Sequence, residues 1–293
     1  MLVLQITLMV LFFSFQSLFT RLYSANYAGE EGQSTAVFSI CYGVFIAVAT
    51  LAVGGFSFAP SWQTWLFGLL NAGMLLLYNT SMIEAGNRGS YSFLMVSSMF
   101  GGILVPMAVG VMFLGETLTG LQVFAVVLML VSLVAMNVRG ISFQNNSGSY
   151  YLWCAALFFS NGLYGVIMNL QANAMAGAQR TEMLTILFAA SALSAVVMEL
   201  ARKRGRQLVE GFRMGKKAAL FLLICCASAT AAANLLLVIL HQMESSILYT
   251  IDNGGVLVLS ILYSLVLFKE RPRWEQVAGM VMAVGSIVLI NLG

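Results

Sequence analysis

Residues 113–137 read FLGETLTGLQVFAVVLMLVSLVAMN, and residues 267–291 read LFKERPRWEQVAGMVMAVGSIVLIN. Sliding one onto the other by 154 positions sets Glu116 on Glu270, Gln122 on Gln276 and Asn137 on Asn291. Each copy is a polar turn followed by an apolar run. A helix of about 20 apolar residues is what crosses the hydrocarbon core of a bilayer. The likeness extends outward: Gly101 falls on Gly255 at the same offset. Tyr27-Ala28-Gly29 falls on Met175-Ala176-Gly177 at an offset of 148. The basic stretch 201–217 is the natural place for the difference of six residues.

Ten apolar stretches have spanning length, five in each half. They run over 2–22, 34–54, 62–84, 91–114, 119–138, 150–170, 182–200, 218–240, 246–268 and 275–292. An odd number of spans per copy puts the copies in opposite membrane orientations, with a site expected between them near the midplane. The expected fold class is an all-α integral membrane protein. Its ten transmembrane helices form two inverted five-helix repeats, residues 1–145 and 146–293, that together make one membrane domain.

Composition names the solvent. Hydrophobic residues make up 60% of the chain, charged residues 9%, and mean hydropathy is +0.91. A soluble domain of this size has to cover its core with charge, so the solvent here is lipid. The net charge of +3 is small and locally clustered, which reads as membrane topology and not as nucleic-acid binding. The first twenty residues lack a basic segment and read as a retained span.

The cysteines, Cys41, Cys154, Cys225 and Cys226, sit in apolar stretches without metal-site spacing, and His241 is the only histidine. They read as small buried hydrophobes. No metal and no cofactor is called for. An intramembrane enzyme needs a nucleophile with a base, or a metal cluster, and the chain offers neither, so no enzymatic activity is expected. There is no P-loop and no filter sequence or ring of charge.

Charges orient the spans. Arg21, Arg88 and Arg139 follow spans 1, 3 and 5, seven cations between Arg202 and Lys217 follow span 7, and Lys269, Arg271 and Arg273 follow span 9. Only Arg180 lies on the other side. Positive loops stay in the cytoplasm. That rule places loops after odd spans inside and both termini outside a cytoplasmic membrane.

With those spans placed, the chain resembles the drug/metabolite transporter superfamily, EamA type, over essentially its whole length. The resemblance is carried by the ten spans, by the turn Gly115-Glu116-Thr117-Leu118 with Gln122 after it, and by its echo Lys269-Glu270-Arg271-Pro272 with Gln276. It implies secondary active transport of small organic metabolites, such as amino acids or related amphipathic solutes, by alternating access. It also implies a cavity lined by spans 1, 3, 4, 6, 8 and 9. The implied partners are a small-molecule substrate and the lipid bilayer; coupling to protons or another ion is the expectation that Asp252 raises. The chain would act as a monomer or homodimer. Two features depart from that family: the N-terminus carries no basic residue, and spans 1 and 6 have no carboxylate, unlike the first span of the four-span cousins. A non-transporting scaffold or an intramembrane enzyme is the alternative.

The candidate substrate and cavity residues follow from the cost of polarity in lipid. Asp252 is the one carboxylate well inside a span, beside Tyr249 and Asn253, and no Lys or Arg lies within a span to pair with it. Amides and hydroxyls form the next tier: Ser14 and Gln16 in span 1, Asn71 and Tyr78 in span 3, Ser97 and Ser98 in span 4, Asn161 and Tyr164 in span 6, and Asn234 in span 8. Phe93 and Phe100 would add an apolar wall. Spans 5 and 10 are nearly bare, apart from Ser132 and Ser286. Glu116 and Glu270 read as a structural turn motif, each accepting hydrogen bonds from the first turn of the following helix. The paired glycines Gly101-Gly102 and Gly254-Gly255 read as points of close helix approach.

Overall fold

The computed structural model describes residues 1–29, 31–86, 88, 91–138, 148–267 and 273–292, without the side chains at 31–32, 83, 86, 91–93, 95, 137, 261, 264–265 and 291. Among them there are eleven helices and no strand. Ten coincide with the ten apolar stretches: α1 (Leu2–Asn26), α2 (Glu31–Val53), α3 (Trp62–Gly86), α4 (Tyr91–Phe113), α5 (Gly120–Asn137), α6 (Gly148–Ala174), α7 (Arg180–Ala201), α9 (Lys216–Leu240), α10 (Ser245–Leu267) and α11 (Trp274–Leu292). The eleventh, α8 (Gly205–Gly211), stands inside the basic connection that the sequence had marked only as a loop. By length and apolarity, α1, α6, α7 and α9, together with Gln33–Val53 of α2 and Val96–Phe113 of α4, suffice to cross a membrane; Gly120–Met136 and Trp274–Ile290 are shorter apolar helices. A helix is the element that satisfies its own backbone without water.

The chain divides into two compact units, and each takes helices from both halves of the sequence. Met1–Leu76 and Gln171–Val238 form the first, and Leu77–Leu170 and Ile239–Gly293 the second.

In the first unit, α2 packs along α7. Small residues set the contact. A Cβ on Gly43 would lie 2.7 Å from the Phe188 carbonyl oxygen and 2.8 Å from the Ala192 Cβ. Thr50 and Thr185 share a hydroxyl hydrogen bond of 3.0 Å across it. Close backbone approach of this kind replaces the hydrophobic drive that lipid removes.

In the second unit, α5 packs along α11, and α4 against α10. The buried face of α5 holds Ala125, Met129, Ser132 and Met136; that of α11 holds Gly279, Ala283, Ser286 and Ile290, each 154 positions on. The outward faces match too: Val123, Val127 and Val134 are exposed on α5, and Val277, Val281 and Val288 on α11. Exposed valines in a helical stripe suit lipid, not water. Ser286 Oγ donates to the Ala125 carbonyl at 2.6 Å, so a buried hydroxyl becomes an interhelical tie.

Gly101 and Gly254, in the fourth spans of the two halves, sit against neighbouring helices. A Cβ on Gly101 would collide with the Phe158 carbonyl of α6, and one on Gly254 would collide with the Met129 side chain of α5.

Candidate functional site

The second unit gathers several of the polar candidates on α4, α6 and α10. Asn161 Nδ2 donates to the Ser98 carbonyl at 2.8 Å and lies 3.3 Å from Ser98 Oγ. A Cβ on Gly102 would stand 2.8 Å from Asn161 Nδ2 and 3.6 Å from Asn253 Nδ2. Gly102 therefore lets two side-chain amides approach the α4 backbone. Pro106 lies inside α4, four residues later, and has no N–H to give the Gly102 carbonyl. Tyr249 Oη donates to the Gly165 carbonyl at 2.8 Å, and Asn253 Nδ2 donates to the Tyr249 carbonyl at 2.8 Å.

Asp252 follows on α10. Among the described residues its Oδ1 is buried without a hydrogen-bond partner. Ser245, Ser246, Tyr249, Asp252 and Asn253 share one side of α10 by helical spacing. Tyr164 and Ser97 are half-buried. Tyr78 packs against the apolar cluster of Ala85, Leu94, Tyr150, Cys154 and Leu157.

Glu116 is placed differently from the expectation. Gly115, at φ +74°, turns the chain after α4 so that the Glu116 amide donates to the Gly110 carbonyl at 3.0 Å. The side chain then reaches α10, not the helix that follows. Its Oε1 accepts from the Ser245 amide at 3.0 Å and the Ser245 hydroxyl at 2.7 Å. Its Oε2 accepts from the Ser246 amide at 3.3 Å and from the Ser246 hydroxyl. The following helix, α5, is closed locally by a capping box between Thr119 and Gln122. Negative charge at a helix N-terminus is favourable, and the helix start that Glu116 meets is that of α10. Glu270 and the Phe93 side chain lie outside the described residues.

The first unit holds the remaining candidates. Ser14 is buried and donates to the Leu11 carbonyl at 2.7 Å. Gln16 Nε2 donates to Tyr42 Oη at 2.8 Å, while its Oε1 is buried and unpartnered. Asn234 Nδ2 returns to the Thr230 carbonyl at 2.9 Å, leaving its Oδ1 unpartnered. Asn71 is fully buried, and neither of its amide atoms has a partner among the described residues. Each such atom costs about 1–3 kcal/mol.

Sequence reasoning missed three things. Gln179 Oε1 accepts from the Ser61 amide at 2.9 Å and from Thr64 Oγ1 at 2.6 Å, closing the start of α3 from more than a hundred residues away. Ser81 and Gln171 carry unpartnered buried atoms like those of the candidates, and polarity within a span was the available signal. A groove of about 590 Å³ lies along α4 and α5, lined by Leu104, Met107, Val111, Val126 and Leu130, with Glu116 and Thr117 at the turn. Its apolar lining gave a polarity-based search nothing to find. No group of His, Cys, Asp and Glu among the described residues is arranged to hold a metal.

Residues 148–292 match the EamA-like transporter family. A solved crystal structure is similar with a TM-score of 0.75 at 17% identity, covering 99% of this chain and 96% of that one. At that identity the likeness concerns the fold alone. No curated protein matches the sequence.

Proposed function

We propose, on the premise that this chain belongs to the drug/metabolite transporter superfamily through its EamA-like second half, that it is a secondary active transporter. It moves small organic metabolites, amino acids or related amphipathic solutes, across the cytoplasmic membrane by alternating access. The observation that carries this reading is a set of open polar atoms on the apolar helices. Gln16, Asn71 and Asn234 in the first unit, and Asp252 in the second, keep buried atoms without protein partners among the described residues. A helical core built only to hold itself together satisfies such groups. Groups that remain open suit a solute that binds and leaves.

Two inverted repeats supply the moving parts in this proposal. Spans of equal rank pair with each other, α2 with α7, α4 with α10 and α5 with α11. The matched faces of α5 and α11 support the same relation. In the second unit, Pro106 and Gly102 weaken the ladder of α4 beside Asn161 and Asn253, where a helix can flex or present a carbonyl. Asp252 is the group we assign to ion coupling, by exchange of a proton or another cation. Loops after odd spans face the cytoplasm.

The test is flux into proteoliposomes for a panel of amino acids and amines, with and without a proton gradient. Saturable uptake of at least one solute, above protein-free liposomes, is expected. A panel that shows no protein-dependent flux under either condition speaks for a scaffold.

A further inference from the structure

The connection between α7 and α9 does more in this structure than bear charge. α7 ends where Lys203 adopts φ +59° and the Arg204 amide returns to the Glu199 carbonyl at 3.0 Å. The chain then forms α8, which is fastened to the α1–α2 corner of the first unit. Leu208 packs with Ala36, Val37 and Ile40. Tyr27 Oη donates to the Gly211 carbonyl at 2.8 Å, and a Cβ on Gly211 would lie 3.0 Å from both Tyr27 Oη and Val37 Cγ2. Partial burial, aided by nearby Cys41, raises the Tyr27 phenol above its ordinary range, so it stays a neutral donor. A flexible tether that only carried orientation charges would need none of this.

What α8 turns outward is mixed. Val209 is 67% exposed and Phe212 44%, at a point where the chain leaves its spans. The same connection carries seven cations between residues 202 and 217. Arg202 pairs with Glu199 at 3.1 Å, and Arg206 with Glu210 at 3.2 Å. Lys203, Arg204, Arg213, Lys216 and Lys217 are exposed and have no carboxylate partner among the described residues. Exposed apolar side chains on one short connection with unpaired, exposed cations match the interface of an anionic bilayer, where cations meet phosphate and apolar tips enter the acyl boundary.

We propose that this connection is a docking surface for anionic phospholipid headgroups, with the five unpaired cations on the phosphates and Val209 and Phe212 seated in the interface beside them. It rests on the chain being a membrane protein and does not require that it transport anything.

The test uses the purified full chain in neutral detergent, titrated with phosphatidylglycerol or phosphatidylcholine of identical acyl chains. Bound lipid is counted by native mass spectrometry. We expect phosphatidylglycerol to be retained at concentrations at least roughly tenfold lower, and each removed cation to weaken that retention on the order of fivefold. The variants are Lys203→Gln, Arg213→Gln, Lys216→Gln and Lys217→Gln, singly and together. Val209→Ser with Phe212→Ser weakens both lipids. High salt on the unmodified protein abolishes the preference, which guards against variants that misfold. Equal retention of the two lipids, or a fourfold variant that keeps the preference, overturns the proposal. So does displacement by soluble glycerol phosphate at equal concentration, which would make free anions the ligand.

Discussion

Replacing Glu116 by alanine removes four acceptor contacts at one stroke. Two come from serine hydroxyls, which can rotate to other acceptors. The other two come from the Ser245 and Ser246 amides in the first turn of α10, which have no intrahelical acceptor of their own. Leaving two such amides open costs about 1 kcal/mol each at the low end, and loss of the charge at the helix N-terminus adds up to about 1 kcal/mol. A total of about 3 kcal/mol corresponds to a fall of roughly 6–12 °C in thermal midpoint for a chain of this size class. Glu116→Gln is nearly as harmful, because its amide nitrogen faces one serine's donors where an oxygen stood. The assay is thermal unfolding of the detergent-solubilised protein, read as the monodisperse fraction by size exclusion. A double-mutant cycle with Ser245→Ala and Ser246→Ala isolates the hydroxyl part of the contact, with an expected coupling of about 1–3 kcal/mol. Strict additivity in that cycle, or a Glu116→Ala midpoint equal to wild type, refutes the assignment of Glu116 to α10.

Three further outcomes follow from the same geometry. Gly101→Ala drives a Cβ into the Phe158 backbone and costs about 1–3 kcal/mol in thermal stability, whereas Gly102→Ala meets only a movable amide and costs less; equal midpoints for the two contradict this. Single cysteines placed within 205–212, in a background lacking Cys41, Cys154, Cys225 and Cys226, resist an impermeant reagent in intact cells; labelling there reverses the topology. Asp252→Asn keeps the shape of the side chain and removes its charge change, so gradient-driven accumulation is lost while exchange of substrate persists; accumulation at the wild-type rate makes Asp252 structural.

The helices were legible because lipid imposes a length and forbids an unpaired backbone, so ten apolar runs became ten helices with ends displaced by a few residues. α8 was not, since its seven residues begin and end with glycine, bear only one buried apolar anchor, Leu208, and give no periodic signal. The offset of 154 could be read at Glu116, Gln122 and Asn137, and the buried and exposed positions of α5 and α11 recur at the same spacing. The partner of Glu116 was beyond reach for a plain reason: 129 residues separate it from Ser245, and charge at a turn says only that some helix start is near. Polarity within spans pointed to Asn161, Ser98 and Asn253, which the second unit does bring to one place around Gly102. It gave no means of placing Tyr78, which packs against the apolar cluster around Ala85, Leu94 and Leu157.

Counterflow in proteoliposomes tests the central claim most directly. Liposomes holding the protein are preloaded with a high concentration of a solute found active in the panel, then diluted into a trace of the same labelled solute without any ion gradient. A carrier that alternates access takes up label transiently above its outside concentration, because inward-facing sites return loaded. The account predicts that overshoot, and predicts its persistence in Asp252→Asn. Uptake that rises only to the equilibrium level, regardless of preloading, would contradict alternating access.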